Sequence, residues 1–352
     1  MILRANVCIF FVHSSRGCVR NLMYDSSRIQ LLLLLFLFLV GTDSFAWSSR
    51  GHAQLTQLAF ESLNQQQRAH FTSMVNVWIK RKPKGLKAMQ QRYPRFDTVA
   101  LLSVWPDRIR DIPINTVMRR YAVGRVPEPL KAFAKHDSSD WHYVNGHYWD
   151  KERRQLLPAS KKPGRCPPRR SGNLDRVWPQ LIAAYQQERA ASTRAVLLGF
   201  ILHLAADAYQ PLHVIAGLDV GCQSDLGGNK HCLFKNSKNK RCEDNLHRLW
   251  DGGFGEFNRP IDVVLTEIKP ILSQQKTQSH LKSLSNTIPS PIDWRSDLLN
   301  IIPDVYPAKG HSTQSTEYLK KAKSISHELT IRCVEQMVEL FNALYQADQM
   351  RK

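Results

Sequence analysis

The sequence predicts an all-α fold, arranged as a single compact helical domain. Apolar residues recur at helical spacing along most of the chain, and no segment shows the strict alternation of a half-buried strand. The sequence contains no internal repeat, P-loop or GxGxxG motif. No Gly/Ser-rich or Pro-rich linker divides residues 47–352, and this length is sufficient for one large hydrophobic core.

The first 46 residues have the features of a secretory signal peptide. Residues 31–40 are an uninterrupted apolar run, too short to span a bilayer, and Arg28 precedes them. The small-x-small pattern of residues 44–46 predicts cleavage after Ala46, which makes Trp47 the mature amino terminus. Met23 would begin a leader of ordinary length and is an alternative start, and an uncleaved membrane anchor is the alternative to cleavage. We therefore expect an exported protein, either periplasmic or secreted.

Predicted helices account for most of the domain. In the first, Leu55, Leu58 and Ala59 recur on one face, and in the last Ile325 and Leu329 begin a long apolar stripe. Residues 151–170 and 217–241 are predicted to be loops, since proline interrupts the first and glycine the second. The helices are expected at residues 52–63, 174–188, 190–214, 245–250, 261–273, 292–302 and 315–345.

The chain is strongly basic, with a net charge of +19, or +17 once the arginines and aspartates of the leader are removed. In an exported protein this charge favours polyanionic partners such as nucleic acid, anionic lipid or acidic glycan. The segment WIKRKPKGLKAMQQRYPRF, residues 78–96, is dense in cations with aromatic residues between them. A solvated face, a phosphate-tracking surface and a membrane-surface stripe are the alternatives for this segment.

Five of the seven cysteines follow the predicted cleavage site. In an oxidising compartment, two disulfides and one free thiol are the simplest arrangement of five cysteines. We expect one pair between Cys166 and Cys333 and one pair within the central three, Cys222, Cys232 and Cys242. The even spacing of the central three does not fit a zinc ribbon.

The most apolar segment, residues 196–214, contains two titratable side chains in an otherwise hydrophobic helix. His203 and Asp207 are four residues apart and therefore lie on one face, and His213 follows the helix-ending Pro211. Burial of an imidazole and a carboxylate is costly unless each is paired or bound to a metal. For this helix alone, a hydrogen-bonded His–Asp pair in the core and a metal site are both consistent with the sequence.

The same spacing recurs in NLHRLWDGG, where His247 and Asp251 are again four residues apart. A tetrahedral zinc ion requires four donors, so a larger set of inward-facing histidines and aspartates predicts more than one ion. Eight residues in apolar contexts form this set, and none is a cysteine: His52, Asp107, His142, His203, Asp207, His213, His247 and Asp251.

Several short motifs follow one another between residues 47 and 251. They are Trp47, GH at 51–52, WPDRIR at 105–110, WHYV at 141–144, HLAADAYQPLHV at 203–214, GGN at 227–229 and NLHRLWD at 245–251. In order and spacing they resemble the zinc-dependent S1/P1 nuclease family, which is related to the zinc-dependent phospholipases C. The resemblance implies an all-α domain with a trinuclear zinc cleft over residues 47–352.

The resemblance also implies how the chain would hold three zinc ions. One ion of a close pair would be bound by four side chains: Asp107, His142, His203 and Asp207. Its neighbour would share Asp207 and add His52 together with the amino nitrogen and carbonyl oxygen of Trp47. A third ion would be bound by His213, His247 and Asp251. Because the free amine exists only after cleavage, export and activation would be one event.

The implied activity is cleavage of single-stranded DNA and RNA to 5′-nucleotides by a metal-activated hydroxide, with 3′-nucleotidase activity. Asp107 would orient or deprotonate the water, and Arg110 would bind a phosphate oxygen, although a surface ion pair is the alternative for Arg110. Tyr143 corresponds to the aromatic residue on which the family stacks a base. Asn145 replaces the usual aspartate that contacts the base. Asn229 would contact the substrate or stabilise a tight turn.

Two other functions are alternatives. A secreted zinc phospholipase C would share the fold and the amino-terminal tryptophan, but that family ends its third site with His-x3-Glu, where this sequence has Asp251. A non-catalytic, zinc-containing polyanion-binding protein is the alternative outside the enzymes. No protein partner is implied, and membrane contact belongs only to the phospholipase alternative.

Overall fold

Helices make up most of the computed structural model, which describes residues 47–158, 171–235, 242–279, 288–307 and 315–351. The predicted leader, its cleavage site and Cys166 lie outside the described residues. Among the described residues, the first helices are α1 (Ser49–Glu61), α2 (Gln65–Ile79), α3 (Leu86–Arg92), α4 (Thr98–Ile109), α5 (Ile114–Tyr121) and α6 (Leu174–Gln187). They are followed by α7 (Ala191–Asp207), α8 (Pro211–Val214), α9 (Leu246–Asp251), α10 (Ile261–Ser279), α11 (Pro291–Val305) and α12 (Thr316–Gln349). The prediction of an all-α fold is confirmed.

The central helix is α7, and it packs against α1, α2, α4 and α6. Every residue from Ala195 to Val214 is buried, as its sequence predicts. The helix predicted at 190–214 is divided in two, since α7 ends at Asp207 and α8 begins at Pro211, the residue that was expected to end the first helix. Proline has no N–H to continue a helix but is well suited to begin one. The break places His203 on α7 and His213 on α8.

Within the described residues, five short strands supplement the helices, and the sequence did not predict them. Strand β1 (His147–Asp150) pairs antiparallel with β2 (Gln155–Pro158) and parallel with β3 (Ile215–Leu218). Strand β4 (Cys232–Lys235) pairs antiparallel with β5 (Cys242–Asn245). The predicted loops at 151–170 and 217–241 were therefore wrong where they include strand residues. The β1–β3 pairing joins the segment after α8 to the segment that follows residue 146.

The cysteines are partly as expected. Cys232 and Cys242 form a disulfide with a Cα–Cα distance of 5.7 Å, and Cys222 is also disulfide-bonded. Cys333 is a free, fully buried thiol, so the predicted Cys166–Cys333 pair is wrong. Cys333 lies on the core-facing side of α12, where burial raises the pKa of its thiol. None of the described helices is both long and apolar enough to cross a membrane.

A buried carboxylate fixes the carboxyl-terminal end of α12. The side chain of Asp348 is only 1% exposed and accepts a hydrogen bond of 2.9 Å from the Tyr185 hydroxyl. His70 Nε2 lies 2.7 Å from the same carboxylate, and Arg194 forms an ion pair with it. Burial alone would raise the pKa of Asp348, but the His70 hydrogen bond and the Arg194 charge outweigh burial and lower the pKa.

Replacing this carboxylate should destabilise the fold. We expect Asp348→Asn to lower the free energy of unfolding by about 2–3 kcal/mol at neutral pH, because it removes a charged acceptor from a buried network. A carboxyl group whose pKa is lowered by folding stabilises the fold above its unfolded pKa and loses that effect as pH falls through the folded value. The difference between the native protein and the variant should therefore shrink in acid, which urea denaturation at several pH values would measure.

The matched control is Asp304→Asn, which breaks the more exposed ion pair with Lys321. Exposed pairs contribute about 0–1 kcal/mol, so this variant should unfold nearly as the native protein does. Equal stability of the two variants would show that the Asp348 network does not fix α12.

Candidate metal centre

The beginning of α1 lies within the candidate site. Trp47 is fully buried, and its indole N–H donates a 2.7 Å hydrogen bond to the carbonyl oxygen of Ala206 on α7. The backbone N–H of Ser48 donates to the carbonyl oxygen of Asp251 at 2.9 Å, and the Ser48 side chain caps α1. These contacts place His52, in the first turns of α1, against α7.

One group of side chains surrounds Asp207 at the end of α7. Its Oδ1 lies 3.3 Å from Nε2 of His52. Its Oδ2 lies 3.2 Å from Nε2 of His203 and 3.0 Å from Nδ1 of His142. Asp107, near the end of α4, has its Oδ1 3.6 Å from Nε2 of His203. Five predicted metal ligands from four parts of the chain are thus brought together around a single carboxylate.

A second group lies beside α8 and α9. The donor atoms of His213, His247 and Asp251 all lie within 4.8 Å of one another, and the two imidazole rings stack with centroids 5.1 Å apart. Nε2 of Gln210 donates a 2.6 Å hydrogen bond to Oδ1 of Asp251, which leaves the other oxygen 3.6 Å from Nε2 of His247. Asp207 Oδ1 is 3.6 Å from Nδ1 of His213, so the two groups are adjacent.

Backbone carbonyls orient three of the histidines. Each of these rings donates its Nδ1–H to a carbonyl oxygen at 2.6–2.7 Å, which leaves Nε2 as the nitrogen that can bind a metal ion once it carries no proton. Metal-binding histidines are commonly held in this way. The histidines are His203, His213 and His247, and their acceptors are Ser103, His142 and Gly227, respectively.

The electrostatics of the two groups differ. Burial would raise the pKa of Asp207, but the charge of His203 and a hydrogen bond with His142 outweigh burial and lower the pKa well below its usual value. Burial raises the pKa of Asp251 well above its usual value. Burial, together with the neighbouring His247, lowers the pKa of His213 to about 3, so its ring is neutral at physiological pH. The neutral imidazole of His213 has a lone pair for a metal ion, and a metal ion would favour the charged form of Asp251 that burial disfavours.

Hydrogen bonds within the described residues leave part of this cluster unsatisfied. Buried polar atoms without a partner include both ring nitrogens of His52, both carboxylate oxygens of Asp107, Nε2 of His142 and Oδ1 of Asp207. A buried polar atom without a partner costs about 1–3 kcal/mol, and so many together indicate a ligand that supplies the missing contacts. A set of histidine and aspartate donors without cysteine fits zinc. The residues present therefore fit the metal ions that the sequence predicts.

An open cleft of about 280 Å³ lies against these groups. His142, His213 and His247 form part of its wall. All four residues predicted to contact phosphate or base also line it: Arg110, Tyr143, Asn145 and Asn229. The structure thus brings the predicted substrate-contacting residues and the predicted metal ligands to one place.

Two of these asparagines have distinct environments. Asn145 is 5% exposed, its Nδ2 donates to Oγ of Ser171 at 2.8 Å, and its Oδ1 has no hydrogen-bond partner among the described residues. Asn145 therefore presents a buried acceptor at the cleft. Asn229 is half-buried, and its Nδ2 donates to the carbonyl oxygen of Leu226 at 2.8 Å, so it stabilises a turn as well as lining the cleft.

A buried carboxylate that was not predicted from the sequence supports the cleft. Oδ1 of Asp225 accepts hydrogen bonds from the backbone N–H groups of Gly217 and Gly228, at 2.7 and 3.0 Å. It thereby fixes the glycine loop whose Gly227 carbonyl orients His247. A Cβ on Gly227 would lie 2.4 Å from a backbone oxygen, so the loop requires glycine there. An aspartate just before two glycines is a turn signal that could have identified Asp225.

The chain matches a protein-family model over most of its length. The model of the S1/P1 nuclease family matches residues 47–335 and so covers most of the chain, including both groups of histidines and aspartates. No curated protein matches the chain significantly.

Proposed function

The chain belongs to the S1/P1 nuclease family, and we propose that it is a zinc-dependent phosphodiesterase of single-stranded DNA and RNA. Family membership makes it a nuclease-type hydrolase with nucleic acid as its substrate. The finer activities that we propose are release of 5′-nucleotides and removal of 3′-phosphate from nucleotides. The observation that carries the proposal is the convergence of buried histidines and aspartates on a cleft that also contains Arg110 and Tyr143.

Three zinc ions would be held by nine residues. Asp207 would be shared by a close pair of ions, because its two oxygens face different histidines. Bound zinc would supply Lewis-acid stabilisation of the phosphoryl group and would lower the pKa of the attacking water. The full ligand set is Trp47, His52, Asp107, His142, His203, Asp207, His213, His247 and Asp251.

The chain's own side chains position the substrate and move the proton. Oδ1 of Asp107 faces His203, so its other oxygen is left to orient the attacking water and accept its proton. The guanidinium of Arg110 donates hydrogen bonds to a non-bridging phosphate oxygen and stabilises the charge that develops there. In-line attack by the water oxygen forms a new bond to phosphorus and breaks the bond to the 3′-oxygen, which takes a proton from solvent and leaves as a hydroxyl group. The phosphate therefore stays on the 5′ side.

Base recognition explains why the substrate is single-stranded. Tyr143 borders the cleft beside His142, where a base can stack on its ring only when that base is unpaired. Oδ1 of Asn145 accepts a hydrogen bond from an N–H on the edge of the base, in place of the carboxylate usual in the family. Asn229 adds a contact from the opposite loop.

Removing the stacking surface should weaken substrate binding. We expect Tyr143→Leu to raise KM for a dinucleotide about tenfold or more, since stacking on an aromatic side chain contributes about 1–3 kcal/mol per base. The effect should be confined to substrates that carry a base, so a base-free phosphodiester is the matched control. An equal increase in KM with both substrates would show that Tyr143 supports the site's structure rather than the base.

The proposal also includes export of the chain. We propose that the chain is secreted or periplasmic and that cleavage after Ala46 frees the amine of Trp47. The Cys232–Cys242 disulfide supports an oxidising compartment.

A substrate panel tests the proposed function. Protein beginning at Trp47 should degrade single-stranded DNA and RNA much faster than duplex DNA and should release phosphate from 3′-nucleotides. Chelation should abolish both activities. Hydrolysis of phosphatidylcholine without cleavage of nucleic acid would instead support the phospholipase C alternative. Metal binding without any hydrolysis would support the non-catalytic alternative.

A further inference from the structure

Residues 80–95, which follow α2, carry a dense array of positively charged side chains that have no role in the proposed metal site or cleft. From residue 62 to residue 96 the sequence contains no aspartate or glutamate. Arg92 stacks on the ring of Tyr93 at 5.4 Å. Six further cations are exposed and form no ion pair with the described residues: Lys80, Arg81, Lys82, Lys84, Lys87 and Arg95.

The array is held on a fixed backbone. Trp78, Leu86, Met89 and Tyr93 are buried in the hydrophobic core, between the exposed cations. Backbone hydrogen bonds close the turns of α3, including one of 2.9 Å from Met89 to Gly85. Unpaired charges of one sign repel each other and destabilise a compact state. A solvated surface generally mixes both signs, so an acid-free array on a rigid support is better suited to a polyanion.

The array adjoins the helix that delivers the catalytic side chains. The Trp78 and Trp105 rings pack with centroids 5.3 Å apart. A Cβ on Gly85 would lie 3.8 Å from Cγ of Arg108, which is two residues before Arg110 in the cleft. The backbone of the array at Gly85 therefore lies within roughly 13 Å of the backbone of Arg110. The side chains of Arg108 and Arg110 point in different directions from α4, because residues two apart on a helix do not share a face. This backbone distance corresponds to about three or four nucleotides of a stacked strand.

We propose that residues 80–95 form an exosite that binds the phosphate backbone of a long single strand whose scissile phosphate lies in the cleft. The inference rests on the proposed function and specifies it further: the preferred substrate is a polynucleotide rather than a short fragment. Backbone binding of this kind is independent of sequence and sensitive to salt. It explains why the cations lack acidic partners.

Binding across a range of salt concentrations tests the exosite. The probe is a long single-stranded oligonucleotide with non-hydrolysable linkages, and the variant is Lys84→Gln/Lys87→Gln/Arg95→Gln. Each phosphate of a single strand that the protein no longer neutralises reduces the slope of log affinity against log salt by about 0.7, so the slope should fall by about 2. Affinity at low salt should fall on the order of tenfold.

The matched control neutralises three exposed lysines elsewhere, Lys269→Gln/Lys320→Gln/Lys323→Gln. It should leave the slope nearly unchanged, because those lysines lie on α10 and α12. An equal decrease in affinity for both triple variants would mean that only net charge matters and would overturn the exosite. Unchanged oligonucleotide binding by the first variant, or weaker binding to anionic vesicles alone, would also overturn it.

Hydrolysis separates this inference from the proposed function. For the first triple variant, KM should rise more for a long oligonucleotide than for a dinucleotide, and equal increases would contradict the exosite. If the native protein hydrolyses no nucleic acid, the proposed function fails, whereas oligonucleotide binding still measures the exosite directly.

Discussion

Asp207→Asn is expected to remove at least one metal ion per chain and nearly all hydrolytic activity. The two carboxylate oxygens lie 3.0–3.3 Å from nitrogens of His52, His142 and His203. This side chain therefore contacts three of the other proposed ligands in the first group. Asparagine keeps the shape but removes the charge and one acceptor. Mutating a residue that only hydrogen-bonds to a metal ligand typically lowers metal affinity or activity roughly 10–100-fold. Mutating a ligand shared by two ions should lower them further.

Metal content and activity should be measured on the same preparation. Asp262→Asn is the matched control, because that carboxylate is exposed in the first turn of α10. The circular dichroism of both variants should indicate a helical fold. An Asp207→Asn protein that keeps its full metal content and turnover would exclude the shared role of this carboxylate.

Adding one residue before Trp47 is expected to cost one metal ion and most of the activity. Trp47 is fully buried, and its indole N–H donates a hydrogen bond to the carbonyl oxygen of Ala206, next to Asp207 in the chain. The backbone N–H of the next residue donates a hydrogen bond to the carbonyl oxygen of Asp251. An extra residue converts the proposed amine ligand into an amide and must be placed in this crowded region. A terminal amine has a pKa of about 7.7–8.0, so it gives up its proton to a metal readily, whereas an amide does not.

Removal of the extra residue with an aminopeptidase provides an internal control. It should restore the metal ion and the activity together, which would show that the extended protein was folded. Full metal content and turnover in the extended protein would disprove the amine as a ligand.

The long elements of the fold could be predicted because their apolar stripes are local patterns. The predicted helix at 174–188 is observed as Leu174–Gln187, and the one at 315–345 as Thr316–Gln349. Helix α2 was missed although Phe71, Met74, Val75 and Trp78 have helical spacing and an Asn64 capping box marks its beginning. Its polar first turn obscured the pattern.

The strands could not be predicted for a different reason. Each has four residues, and β1 pairs with β3 across a long intervening segment, so the hydrogen bonds that define them are not local in sequence. The free thiol of Cys333 could not be predicted for the same reason. Its burial depends on how α12 packs in three dimensions, which spacing among cysteines does not reveal.

The candidate site was more predictable than the fold around it. The repeated His-x3-Asp spacing marked His203, Asp207, His247 and Asp251 without reference to any family, because helix geometry places each pair on one face. His52, Asp107, His142 and His213 were selected from their apolar contexts, and the resemblance added the amino terminus of Trp47 and the assignment of the ligands to three ions. The supporting contacts were not predictable, since those of Asp225 depend on a loop conformation that only the folded chain defines.

Metal analysis of the protein that begins at Trp47 tests the central claim most directly. Elemental analysis by mass spectrometry, on protein purified without chelators, should find three zinc ions per chain. Zinc should leave and return together with hydrolysis of single-stranded nucleic acid. A fully folded and active protein that binds no zinc would contradict the account, because the buried histidines and aspartates would then have another purpose.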